Sequence, residues 1–263
     1  MHILHKVDEI LRKKLLPLFS EHDKVDFGID SILEGQSGKQ VSVVVDDVTN
    51  PAVALLRYGT FGVLGGDATH TNAHALVQSI HLPCAIQPSP EEWMNLLYKN
   101  YAAKIKKIER FSFTHQFIDA SDITRIIKQH SYTTNLHEID AATAQAMENE
   151  EWHKYHLTNY SSAAEFAAHS FANGVTIDGI LASACSAALR CAQGIELNVI
   201  TLPPFRNKGL AELVAAATIF RAIDQDLIPH WDAANERSAR LAMRLGYRPT
   251  GSYFTHYLMT EGN

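Results

Sequence analysis

Phe205-Arg206-Asn207-Lys208-Gly209-Leu210-Ala211 is the stretch of the chain whose residue types come closest to a chemical instruction. It follows a run that reads as a strand and precedes one that reads as a helix. A helix start leaves backbone N–H groups without partners and carries the positive end of the peptide dipoles, so it attracts phosphate. Gly209 lets the main chain approach an anion with no side chain in the way. Ala211 keeps the next approach small, and Arg206 and Lys208 add positive charge. A diphosphate fits this description. An ordinary strand-to-helix turn carrying two solvated cations fits it too, so the surroundings have to decide.

Other patterns are weaker. Gly35-Gln36-Ser37-Gly38-Lys39 has the look of a phosphate loop, but Gln40 stands where Ser or Thr belongs and the strand follows instead of preceding, which is better explained by a hairpin turn. His70 and His74 have the spacing of two metal ligands on a helix. Thr71 takes the place of a zinc-protease glutamate, however, and no third ligand is evident, so no metal is expected. Cys84, Cys185 and Cys191 are too scattered for a disulfide framework and read as free thiols in a reducing compartment. Arg237, Arg240, Arg244 and Arg248 make one helical stripe, a solvated face that can also steer an anion.

The elements that must position the loop are legible around it. Gly194 to Thr201 alternates as a strand and is stopped by Pro203-Pro204. Leu210, Leu213, Val214, Ala217 and Phe220 then trace one face of a helix. A short strand over 227–231 follows, then a helix from Glu236 to Leu245 capped by Asn235 and closed by Gly246, and a last strand over 253–258. Upstream, Asp140 caps a helix over 141–147, a further helix lies near 163–166, and paired strands follow over 169–177 and 180–189. In the first half, apolar spacing over 3–19 predicts an opening helix. Strands are expected near 41–45, 53–56, 61–64 and 111–117, with a helix over 90–107. The polar stretch 119–131 is the expected joint, giving an N-terminal α/β domain over 1–125 and a second domain over 126–263. Both halves share a coarse order of helix, strands and helix.

Composition narrows the function. The 263 residues are 46% hydrophobic and 20% charged, the balance of a folded globular chain. The 23 basic against 29 acidic residues give a net charge of −6, which opposes a broad phosphate-tracking nucleic-acid surface. No apolar run is long enough for a membrane span and the first twenty residues carry charges throughout, so neither membrane nor export is expected and the cytoplasm is the expected location.

The order Arg-x-x-Gly-x-Ala after a strand, with Asn235 leading a second helix that ends in Gly246-Tyr247, resembles the GNAT acetyltransferases over residues 132–258. Within that superfamily, Gly194-Ile195-Glu196 through Arg206 to Ala211, followed by Pro229-His230-Trp231-Asp232-Ala233-Ala234-Asn235, is similar to the subfamily typified by the zwittermicin A resistance protein. The resemblance implies an α/β (α+β) fold: a mixed, mostly antiparallel twisted sheet flanked by helices, with the N-terminal domain a degenerate GNAT-like copy. It implies transfer of an acetyl group from acetyl-coenzyme A directly to a small-molecule amine, with no metal and no acyl-enzyme, and leaves a homodimer open.

Residue roles follow from the same resemblance. The amides of Arg206, Asn207, Lys208, Gly209, Leu210 and Ala211 would hold the diphosphate. Val199, Ile200 and Thr201 would pair with the pantetheine arm, and Asn235 and Ser238 would approach the cofactor. A backbone N–H near Val199 or Ile200 would polarise the thioester carbonyl. Acid–base work falls to Glu196, or to Asp232, as base. The Tyr that often serves as acid, seven residues after the helix-opening Asn, is replaced by Ala242, which leaves Tyr247, His230 or solvent. The rival reading is a non-catalytic acyl-coenzyme A-binding module in which the missing acid is literal.

Overall fold

Five helices are started by side chains that accept an otherwise orphaned backbone N–H. Asp8 accepts from Leu11 at 2.8 Å, Asp119 from Ser121 at 2.7 Å, Asp140 from Thr143 at 2.7 Å, Ser162 from Glu165 at 3.1 Å and Asn235 from Ser238 at 3.0 Å. These caps fix where the chain turns into helix in the computed structural model, which describes residues 1–22 and 25–260. The chain forms two compact units: Met1–Arg110 with the segment from Ser252 onward, and Phe111–Gly251.

In the first unit the strands follow the order His2–Leu4, Ser42–Val45, Val53–Tyr58, Phe61–Gly66, Cys84–Ile86, Arg248–Leu258 and Ile105–Thr114. The first four form antiparallel pairs, and Phe61–Gly66 then runs parallel to Cys84–Ile86. Leu55, Leu64, Leu76, Ile86, Trp93 and Leu97 are buried together in its core.

In the second unit a five-stranded sheet runs Ile228–His230, Gly194–Thr201, Ile180–Arg190, Ala172–Ile177, Leu136–Glu138. It is antiparallel except for the pair Gly194–Thr201 and Ile228–His230. The helix Leu210–Asp224 makes that parallel crossover and packs Leu210, Leu213, Val214 and Ile219 into a core with Val175, Ala182 and Cys185. A short pairing joins Asp232–Ala233 to Phe111 and Ser112.

The structure moves three expectations. Residues 3–19 are not one helix: His2–Leu4 pairs with Val43 to Val45 as a strand, and the helix begins at Glu9 behind its Asp8 cap. The helix expected over 90–107 ends at Tyr101, and Ile105 already belongs to a strand. The polar stretch 119–131 is a helix, Ala120–Gln129, whose Ile123, Ile126 and Ile127 enter the core of the second unit. The units accordingly divide at Arg110/Phe111 instead of 125/126, and the chain returns to the first unit at Ser252.

Candidate active site

The parallel strands Gly194–Thr201 and Ile228–His230 pair at Gly194 with Ile228, Ile195 with Pro229 and Glu196 with His230. Gly194–Thr201 continues beside its other neighbour as far as Thr201 opposite Ser183. From Leu197 onward, then, one edge of the strand has no strand beside it among the described residues. The register against Ile180–Arg190 shifts between Glu196 and Leu197. A bulge of this kind bends a strand and sharpens its twist, and it falls where the two parallel strands part. Leu197 and Val199 pack toward the core, and Asn198 donates its side-chain amide to the Tyr155 carbonyl at 3.3 Å. Val199, Ile200 and Thr201 are thereby half-buried along an open strand edge.

The strand leads to the loop before the helix Leu210–Asp224. Asn207 and Gly209 take left-handed conformations, with φ of 63° and 77°. The backbone N–H groups of Asn207, Lys208, Gly209, Leu210 and Ala211 donate to no backbone carbonyl among the described residues, whereas Glu212 and Leu213 already donate to Gly209. Successive unused amides in alternating conformations make a concave anion cradle. Arg206 is less free than its sequence position implied. Its Nε donates to the Thr201 carbonyl at 3.3 Å and its guanidinium lies 5.6 Å from the Trp152 ring centroid, so its side chain ties the strand end to Trp152. Lys208 Nζ stands 5.4 Å from the Phe205 ring centroid. The Leu210 side chain is buried, which leaves its amide as its contribution to the cradle.

Where the strands part, the Glu196 carboxylate and His230 Nδ1 are 2.7 Å apart, with side-chain exposures of 13% and 21%. His115 lies in the same field: its imidazole is held below the usual histidine range, first by burial and then by the charge of His230. Tyr247 takes a different place from the expected acid. Its ring is buried against Trp231, its hydroxyl donates to the Pro229 carbonyl at 2.6 Å, and burial holds its pKa well above the usual tyrosine value. That makes it a poorer acid than a free tyrosine, with its proton already committed. Asp232 sits half-buried on the short strand opposite Ser112. Asn235 caps the following helix, accepting from the Ser238 backbone N–H at 3.0 Å, while Ser238 Oγ accepts from Trp231 Nε1 at 3.1 Å. Ala242 is fully buried. Cys185 is buried too, its thiol pushed up to about 12, which leaves no thiolate for nucleophilic work. His70 precedes the helix that carries His74, so the two do not share a helical face.

Several residues here escaped the sequence reading. Trp152 and Tyr155 come from the segment around the turn His153–His156, and His130 lies against Gly209. Nothing in local spacing marks them, because each contact joins residues far apart in the chain.

The GNAT acetyltransferase family profile matches residues 17–256. An uncharacterized N-acetyltransferase, YdfB, of Bacillus subtilis (strain 168) is 28% identical over 105 residues, a match spanning 39% of this chain and 40% of that protein. The crystal structure of a GCN5-related N-acetyltransferase-like protein from Streptococcus suis 89/1591 superposes with a TM-score of 0.78 at 24% identity, covering 94% of this chain and 98% of that one. A glucosamine N-acetyltransferase region of a fungal multi-domain β-N-acetylglucosaminidase superposes with a TM-score of 0.56 at 9% identity, over 98% of this chain and 38% of that one. Among the described residues no helix is long and apolar enough to cross a membrane, and no group of three or more His, Cys, Asp or Glu residues could hold a metal. With a family match that runs through both units, the chain belongs to the GNAT acetyltransferase family.

Proposed function

We propose that the chain transfers an acetyl group from acetyl-coenzyme A to a primary amine of a small molecule, directly and without an acyl-enzyme, in the wedge where Gly194–Thr201 and Ile228–His230 separate. One observation carries this reading: an open strand edge runs from the Glu196–His230 pair at one end to five unused amides at the other. The residues fit the group they would hold. The amides of Asn207 to Ala211 suit a diphosphate, and Val199 to Thr201 offer main-chain groups to the two amides of a pantetheine arm.

The Glu196 carboxylate takes a proton from the acceptor ammonium, and the freed amine attacks the thioester carbonyl. A C–N bond forms and the C–S bond breaks, with a main-chain N–H beyond the bulge facing the developing oxyanion. The Glu196–His230 pair, having received the ammonium proton, gives one from His230 to the departing thiolate, and the remaining N–H proton of the tetrahedral adduct is lost to solvent. This supplies an acid where Ala242 provides none. Asp232 is the reserve base. The resemblance to the zwittermicin A resistance group adds an amino-bearing small molecule as the acceptor class, and the net charge of −6 favours a cationic one. Reaction in the cytoplasm and a homodimeric assembly complete the reading.

Two measurements test it. Coenzyme A at 100 times its dissociation constant should stabilise the fold by about 2.7 kcal/mol in a thermal shift assay. Thiol release from acetyl-coenzyme A with a panel of amines should be seen with the wild type. It should fall about 10²- to 10⁴-fold in kcat for Glu196→Gln, with little change in KM for acetyl-coenzyme A. Binding without turnover on any amine favours a non-catalytic acyl-coenzyme A module, and no binding removes the reading.

A further inference from the structure

The space in front of Gly209 is shared. A Cβ built on this glycine would stand 2.6 Å from His130 Nε2, so the residue must be glycine for the imidazole edge as well as for its φ of 77°. His130 comes from outside the strand–loop–helix segment: it ends the helix Ala120–Gln129, whose Ile123, Ile126 and Ile127 share a core with Leu210 and Leu213 at the start of the long helix. That shared core fixes the imidazole against the loop.

The ring's other nitrogen is occupied. His130 Nδ1 accepts the Tyr132 backbone N–H at 3.2 Å, which puts the proton of the neutral ring on Nε2. The nitrogen directed at Gly209 is therefore a donor. It stands in front of Gly209, on the loop where the amides of Asn207 to Ala211 donate to no backbone carbonyl among the described residues and where Arg206 and Lys208 also lie. An imidazole N–H beside a loop of unused amides can donate to the same anion that they bind.

We propose that His130 is a phosphate-binding residue of this cradle, donating from Nε2 to the diphosphate of the acyl donor. The inference rests on the reading of the cradle given above and extends it beyond the loop.

Acetyl-pantetheine, which carries the same thioester and no diphosphate, separates this role from a structural one. His130→Phe keeps the ring volume and removes the donor, and His130→Gln keeps a donor. For His130→Phe, the dissociation constant of coenzyme A and the KM for acetyl-coenzyme A should rise about tenfold, the scale of one charge-assisted hydrogen bond, while kcat/KM for acetyl-pantetheine stays at the wild-type value. His130→Gln should recover most of the affinity. Unchanged coenzyme A affinity in His130→Phe overturns the proposal, and so does an equal loss with both donors, which makes His130 a packing residue. If the wild type binds no coenzyme A, the cradle reading itself fails, an outcome distinct from either.

Discussion

Tyr247 and Glu196 both approach the point where the parallel strands part, and their surroundings give them opposite capacities. The Tyr247 hydroxyl donates to a main-chain carbonyl of that very strand pair, at Pro229. Tyr247→Phe should therefore cost about 1 kcal/mol in a urea titration, the usual size of a lost buried hydrogen bond, and leave kcat within about threefold of wild type. A fall of about 10²-fold would return Tyr247 to the role of acid. At this scale the sequence was readable wherever function depends on residue type in a contiguous run. We read 207–211 as the cradle that the run Arg206 to Ala211 suggested, because five successive N–H groups there donate to no backbone carbonyl among the described residues; the Arg206 N–H, expected to join them, donates to the Pro203 carbonyl instead. The sequence was unreadable where a side chain's task is set by a distant neighbour. Arg206 on Trp152, His130 on Gly209 and the commitment of Tyr247 to Pro229 have no trace in local spacing.

The turn His153–His156 lays two stacked imidazoles against the strand Ile180–Arg190. His153 Nε2 is 2.8 Å from the Leu181 carbonyl, and His156 Nδ1 is 2.7 Å from Ser186 Oγ. Burial pushes His156 down to about 3, and it lowers His153 as well. A histidine held below its unfolded value binds protons more readily when the chain unfolds. Its cost to stability is therefore absent above about pH 6.5, grows as pH falls below that value, and levels off only below the folded value of about 3. Between pH 6.5 and 5, His156 alone should remove on the order of 2 kcal/mol. Urea titrations at the two pH values should show the fall, and His156→Gln should flatten it. If the slope is unchanged in the variant, the proton is taken up elsewhere. Elements were legible where a capping side chain marks the start, as in Ala141–Met147 behind Asp140 and Glu236–Arg244 behind Asn235. Short elements were not. Gly28–Leu33 and Ala73–Gln78 have six residues each, too few for a helical period to repeat. His2–Leu4 was absorbed into the phase of the helix that follows it.

In chain order, residues 2–114 and 136–258 run through the same succession of strand, two helices, three strands, a crossover helix, a parallel strand, a helix and a long strand, apart from the short strand Asp232–Ala233 in the second run and the helix Ala120–Gln129 between the two. The coarse order was visible in the sequence, but the boundary was not, because polarity at 119–131 marks the outer face of a helix as readily as a linker. We read the first unit as a degenerate copy. Its loop at the corresponding place, after Phe61–Gly66, has spent most of its amides. Asp67 donates to Ala52, Thr69 to Asp67, His70 to Asp67, Asn72 to His70 and Ala73 to His70. The Trp93 indole donates to the Gly66 carbonyl at 2.9 Å, and the Phe19 ring lies 2.4 Å from where a Cβ on Gly65 would be. Isothermal titration should accordingly count one coenzyme A per chain, and a stoichiometry of two would restore the first unit as a binding site.

The partner strand that Cys84–Ile86 requires, His256 to Leu258, is translated only after the whole of Phe111–Gly251. A nascent chain emerging from the ribosome thus holds its N-terminal unit unfinished until the second unit has been made, with the Cys84–Ile86 edge exposed meanwhile. Gene fragments cut at either boundary should yield an N-terminal product that aggregates, and supplying residues 252–260 in trans is the remedy to try.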